Sequence, residues 1–122
     1  MAESDITRTI LLDTVEALRL RKYTVTTLTE PPRTQRFEQR QLFFGSSPDC
    51  DVVLDESSVS RTHARLEVDG TGYRLVDMGS KNGCFANGLR IREAYLEPGT
   101  TFRLGRQSLR FDITPDEVEL TF

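Results

Sequence analysis

Residues 64–77 read Ala-Arg-Leu-Glu-Val-Asp-Gly-Thr-Gly-Tyr-Arg-Leu-Val-Asp. Ala64, Leu66 and Val68 alternate with Arg65 and Glu67, a period of two that puts apolar side chains on one face of a strand. Asp69-Gly70-Thr71-Gly72 supplies turn residues, and Tyr73, Leu75 and Asp77 resume the alternation. Two half-buried strands about a Gly-rich turn make a hairpin. The same pattern extends both ways. Lys22–Leu28 is rich in β-branched residues and is stopped by Pro31-Pro32. Gln41–Phe44 and Asp51–Leu54 are short apolar runs separated by the turn Ser46-Ser47-Pro48-Asp49. Phe85, Asn87-Gly88 and Ile91 predict a second small hairpin; Pro98-Gly99 precedes Phe102 and Leu104; Leu109, Phe111 and Ile113 close the pattern. About ten short strands with no helix-length segment between them predict an all-β sandwich or barrel, not parallel βαβ units.

The chain has 122 residues, enough for one domain with its own core. A 29% charged and 37% hydrophobic composition is that of a folded chain, not a disordered one. A net charge of −3 gives no overall field towards nucleic acid or an anionic membrane, so direct contact with either is not expected. No apolar run approaches the about 20 residues that span a bilayer. The opening Met-Ala-Glu-Ser-Asp lacks the order of a signal peptide, and a cytoplasmic location is expected. Cys50 and Cys84 are then expected as separate thiols. One histidine and two scattered cysteines give no zinc-ligand spacing, and no cofactor is expected.

Three segments follow from the change of pattern: a leader at residues 1–21, the β domain at 22–113 and a linker at 114–122. In the leader, Ile6, Ile10, Leu11, Val15 and Leu18 can share a helical face, but Thr7, Thr9 and Thr14 weaken a helix. A flexible tail and a short helical element fit it equally. The stretch after Ile113 is acidic and unpatterned, and reads as a connection to a further domain.

Catalytic arrangements are weak. Ser60 and His63 hold a hydroxyl and a base three residues apart, but no Gly-x-Ser-x-Gly elbow surrounds them. Gly79-Ser80-Lys81-Asn82-Gly83 lies between strands rather than between a strand and a helix, and is no Walker loop. The carboxylates of Asp49, Asp51, Asp55 and Glu56 read as a solvated rim. The chain is expected not to be an enzyme.

Three loops stand out together: Gly45-Ser46-Ser47-Pro48-Asp49-Cys50-Asp51, then Val59-Ser60-Arg61-Thr62-His63-Ala64, then Asp77-Met78-Gly79-Ser80-Lys81-Asn82-Gly83. They hold hydroxyls, cations, an amide and Gly-freed main-chain N–H groups, the donors an oxyanion needs. In this order they resemble the forkhead-associated (FHA) family, whose pattern runs Gly-Arg, Ser-x-x-His, Ser-x-Asn-Gly. The resemblance covers roughly residues 22–113. It implies a β-sandwich of short antiparallel strands whose rim loops recognise phosphothreonine in a partner protein. Ser46, Ser60, Arg61, Lys81 and Asn82 would form the phosphopeptide site. Ser60 would donate to the phosphate with Arg61 as a nearby cation, and Asn82 would bond the peptide main chain with Lys81 beside it. His63 would hold the Ser60 loop from behind, with Ser80 supporting and Gly45 and Gly83 permitting tight turns.

This sequence departs from the pattern at Ser46, where the family usually has Arg, and at Cys84, where Thr is common. A charge-assisted hydrogen bond contributes roughly 1.5–3 kcal/mol, so losing a forked Arg weakens phosphate binding about ten- to a hundredfold. Lys81 is a point charge and Arg61 stands nearby; either replaces that Arg only in part. Two readings stay open: a phosphothreonine module, and an interaction domain with a degenerate phosphate site that assembles without phosphorylation. More narrowly, the arginine-free turn, the Thr-rich leader and the acidic tail resemble the N-terminal domains of sigma-54-dependent transcriptional activators. That resemblance implies a regulatory domain beside an AAA+ ATPase of the same protein. The chain's own leader, phosphorylated at Thr7, Thr9 or Thr14, is a further expected partner of the rim.

Overall fold

The computed structural model describes residues 22–114. The leader at 1–21, and the linker from residue 115 onward, lie outside the described residues. Eleven strands follow one another: β1 (Tyr23–Thr27), β2 (Arg33–Phe37), β3 (Gln41–Gly45), β4 (Val52–Val53), β5 (Ala64–Val68) and β6 (Tyr73–Asp77). Then come β7 (Cys84–Ala86), β8 (Leu89–Ile91), β9 (Glu93–Tyr95), β10 (Thr101–Leu104) and β11 (Gln107–Ile113). They form a six-stranded sheet in the order β2-β1-β11-β10-β7-β8 and a five-stranded sheet in the order β4-β3-β5-β6-β9. No helix among the described residues is long and apolar enough to cross a membrane.

The alternation that predicts the strands also fills the interior. Tyr23, Val25, Phe102, Leu104, Leu109 and Phe111 from one sheet meet Leu42, Phe44, Ala64, Leu66, Tyr73 and Leu75 from the other. Aromatic rings bridge the two layers: Tyr23 meets Tyr73 edge-on at 5.2 Å, and Phe44 meets Phe102 at 5.9 Å. Burial of such rings contributes about 1.5–3 kcal/mol each relative to exposure, with edge-to-face contact adding to it. The predicted hairpin is β5–β6, paired antiparallel from Ala64↔Asp77 to Val68↔Tyr73.

Two strands have no counterpart in the sequence reading. No residue of β2 is buried, so it shows no apolar alternation to read. It is an edge strand held by main-chain pairing to β1 and a Thr26–Thr34 hydroxyl bond. β9 is a three-residue edge strand beside β6. The antiparallel expectation also fails in one place: β4 runs parallel to β3, with Phe44↔Val52 and Gly45↔Val53.

Candidate functional site

β3, β6 and β10 end, and β5, β7 and β11 begin, at one end of the sandwich. The three loops that carry the sequence motifs therefore meet there, joined by the turn between β10 and β11. Main-chain bonds lace the first two: Ser46 N–H donates to Ser60 O (3.0 Å), Ser47 N–H to Arg61 O (3.1 Å), and His63 N–H to Phe44 O (2.8 Å). This close approach is what requires glycine at 45, where a Cβ would lie 2.0 Å from Arg61 O. Its φ is not positive, so the sequence reading of Gly45 as a tight-turn residue is replaced by one of contact. Gly83 does sit at φ 85°.

His63 is fully buried between the loops. Its Nδ1 accepts the Ser60 main-chain N–H (3.0 Å), which leaves the proton on Nε2, facing Gly83 O at 2.8 Å. One ring thus spaces the second loop from the third. The Ser60 hydroxyl points elsewhere and accepts the Lys81 N–H at 3.2 Å. Ser60 and His63 therefore do not form a nucleophile–base pair, and the described residues hold no activated serine at this site.

The third loop is tied to its own strand. Asp77 Oδ1 accepts the Ser80 hydroxyl, and Ser80 Oγ accepts the Gly83 N–H at 2.9 Å. Cys84 Sγ donates to the same carboxylate at 3.4 Å, and burial, with Asp77 beside it, pushes its thiol far above the ordinary range. His63, Asp77 and Cys84 bring ligand atoms within 4.8 Å of one another, a juxtaposition that their spacing in sequence conceals. Both histidine nitrogens and the carboxylate are already spent on the hydrogen bonds just described, so the cluster is a structural knot. Cys50, also a free thiol, donates to Arg61 O at 3.2 Å and tethers the Ser60 loop from the other side.

Asn82 is exposed, yet its Nδ2 donates to Ser58 O at 2.8 Å. Ser58 was not singled out by the sequence. Its hydroxyl accepts the Arg106 N–H (2.8 Å), and Gly105, at φ 58°, passes so close that a Cβ would meet Ser58 O at 2.6 Å. Nothing in the run Asp55-Glu56-Ser57-Ser58 marks one serine as the hub of three loops; only the contact does. Arg61 and Lys81 are exposed, and no carboxylate pairs with either among the described residues. Ser46 is half-buried beside them. The described structure thus brings Ser46, Ser60, Arg61, Lys81 and Asn82 to one edge, with Gly45, His63, Ser80 and Gly83 beneath.

A family profile described as the FHA domain matches residues 42–105, more than half of the chain and the span that holds all three loops. The chain belongs to the FHA domain family. Among its relatives is the glycogen accumulation regulator GarA of Mycolicibacterium smegmatis, 37% identical over 67 residues, 55% of this chain and 42% of that protein. Another is the oxoglutarate dehydrogenase inhibitor of Corynebacterium jeikeium, 35% identical over 74 residues, 61% of this chain and 51% of that protein. The FHA chain thus spans about half the length of these relatives. Neither is named as a sigma-54 activator, so they lend no support to the narrower resemblance. A solved structure from a study of phosphothreonine-dependent FHA domain interactions superposes with TM-score 0.72 at 26% identity, over 77% of this chain and 98% of that one. EmbR of Mycobacterium tuberculosis, in complex with a low-affinity phosphopeptide, gives TM-score 0.72 at 27% identity, over 92% of this chain and 31% of that one.

Proposed function

We propose that this FHA domain binds a phosphothreonine-containing segment of a partner protein and regulates that partner, without catalysis of its own. One observation supports the reading: the Lys81 N–H donates to Ser60 Oγ across the two loops, and Arg61 and Lys81 are exposed with no carboxylate partner among the described residues. A dianionic phosphate there would meet a donor hydroxyl and two positive charges, each contact being charge-assisted. Asn82, anchored to Ser58 through one amide hydrogen, keeps its carbonyl oxygen for a peptide N–H. Relatives named as an enzyme inhibitor and a metabolic regulator suit a module that acts by occupying another protein. Titration calorimetry with a phosphothreonine peptide and its plain-threonine twin tests this. A preference for the phosphorylated form that Ser60→Ala lowers at least fivefold is expected; equal affinities for the two peptides would refute it.

Ser46 favours a second reading, in which the phosphate site is degenerate and the rim assembles with unphosphorylated protein. Its side chain supplies at most a hydroxyl where the family usually has a fork of five donors. Ser46→Arg separates the two: a gain of about tenfold for the phosphopeptide alone favours a working, weakened site. The sigma-54 setting, with an AAA+ ATPase domain as partner, rests on sequence resemblance alone, and a binding assay against such a domain is its test.

A further inference from the structure

The two sheets turn different outer faces to solvent. On the six-stranded sheet the outward positions include Thr24, Thr26, Thr34, Arg36, Arg110 and Asp112, an ordinary solvated surface. On the five-stranded sheet, Phe43, Arg65 and Val76 stand in one row across β3, β5 and β6, on the face away from the core. Val53, paired with Gly45, continues this face towards the rim. So does Met78, whose N–H extends the ladder to His63 O at 3.0 Å. Val53 is 39% and Met78 38% exposed, and Phe43 is half-buried. Val76 is buried yet lies outside the core cluster, so what covers it is on this outer face. Arg65 does not break the strip. Its guanidinium turns along its own strand to Glu67, where Arg74 and Gln41 also meet the carboxylate, and its aliphatic stem stays between Phe43 and Val76. Asp51, at the outer edge, spends a carboxylate oxygen on the Phe43 N–H at 2.7 Å. The charges of Arg65, Glu67 and Arg74 are thus satisfied among themselves away from the rim, and an apolar strip is left next to it.

We propose that this strip is a second contact for the phosphothreonine protein, holding an apolar segment of the same partner near its phosphorylated residue. The inference rests on the phosphothreonine reading above. Two observations select the occupant. The strip is continuous with the rim: Gly45, opposite Val53, precedes Ser46, and Met78 is followed by Gly79-Ser80-Lys81. It is also small, three strand spacings by two rows, roughly 15 Å by 7 Å between Cα positions. A second copy of this chain would need about 800 Å² on each side for a stable dimer, so the strip fits one extended segment instead. Such a segment, leaving the phosphate site, covers the roughly 10–15 Å to Val53 and Phe43 in about three to five residues. Joining both contacts in one ligand makes the second intramolecular, which offsets a phosphate contact weakened at Ser46.

The test is a set of phosphothreonine peptides in which a Leu-Val pair is walked outward along otherwise polar flanks, on either side, each with a Ser-Thr twin. At one spacing the apolar peptide should bind about five- to twentyfold tighter than its twin. That gain should persist at high salt, where the phosphate contact itself weakens. Val53→Thr and Met78→Gln keep size and charge at two exposed positions on separate segments. Each should lower the ratio, and together they should bring it near one, with the affinity of the polar twin unchanged. If phosphopeptides outbind plain threonine but the apolar pair adds nothing at any spacing, the inference falls and the phosphothreonine reading survives. A gain that the double variant leaves intact overturns it equally. So does a concentration-dependent dimer of the full chain that the double variant abolishes, since the strip then joins two copies. If neither phosphate nor apolar pair improves binding, both readings fall.

Discussion

At Gly45 a Cβ would fall 2.0 Å from the Arg61 carbonyl oxygen, a main-chain atom that cannot swing aside. Gly45→Ala must therefore part the two loops or bend β3. We expect a loss of about 2 kcal/mol, seen as a fall of roughly 10 °C in thermal midpoint, together with weaker ligand binding. An unchanged midpoint would mean that the loops are not laced as described. Ser60→Ala should behave in the opposite way. It removes an acceptor from the Lys81 N–H, which lies at an exposed edge where water can replace it, so stability should shift by less than about 1 kcal/mol while phosphopeptide binding suffers. The glycine was legible in the sequence, but its reason was not: a close approach depends on which main-chain atom arrives from a residue far along the chain, here Arg61.

Among the elements, the β5–β6 hairpin holds Glu67 and Asp69, two of the carboxylates whose pKa the fold lowers. Hydrogen bonds from Arg65 and then Arg74 hold Glu67 below the usual carboxylate range, and Gln41 joins them from β3. Burial alone would raise Asp69, but the Thr71 N–H, the Tyr95 hydroxyl and the Gly72 N–H outweigh it and lower its pKa. A carboxylate whose folded pKa is depressed adds stability that is complete above its unfolded value of about 4 and is lost as pH falls through the folded value. Thermal midpoints should therefore stay level from about pH 8 to pH 5 and drop below about pH 4. Glu67→Gln should flatten part of that drop; an identical acid profile in the variant would remove Glu67 from the account. The other turn shows how far local chemistry reaches. Asn87 and Gly88 both have positive φ, 51° and 77°, the conformation that Asn-Gly favours in a two-residue hairpin.

For the whole molecule, the position of Lys22 and Thr114, the limits of the described residues, relative to the rim matters most. Thr114 N–H bonds Lys22 O at 3.2 Å, so the chain enters and leaves the domain together, at the end away from the loops. A leader that folds back must therefore cover the length of β11, about 23 Å for its seven residues, before reaching Ser60. Thr14, eight residues before Lys22, spans at most about 29 Å when fully extended, whereas Thr7 and Thr9 have about 45 Å or more. Phosphorylation at Thr7 or Thr9 should accordingly shift the Ser60 and Asn82 amide signals in an NMR spectrum of the full chain. Phosphorylation at Thr14 alone should do so far less. Equal shifts from all three would contradict this geometry, and none from any would end the idea of the leader as a ligand.

The sequence by itself determined the all-β class, the β5–β6 and β7–β8 hairpins and the order of the three loops. These are written in period-two alternation, in turn residues and in motifs, all of which act over a few neighbouring positions. It was silent on β2 and β9, whose edge positions demand no apolar pattern, and on the parallel β3–β4 pair. Tertiary structure alone decided that Ser58 joins Asn82 to Arg106, that His63 spaces two loops, and that Phe43, Arg65 and Val76 form a row on the outer face beside the rim. Each of these depends on register between strands distant in sequence, and a one-residue slip would turn every such side chain to the other face.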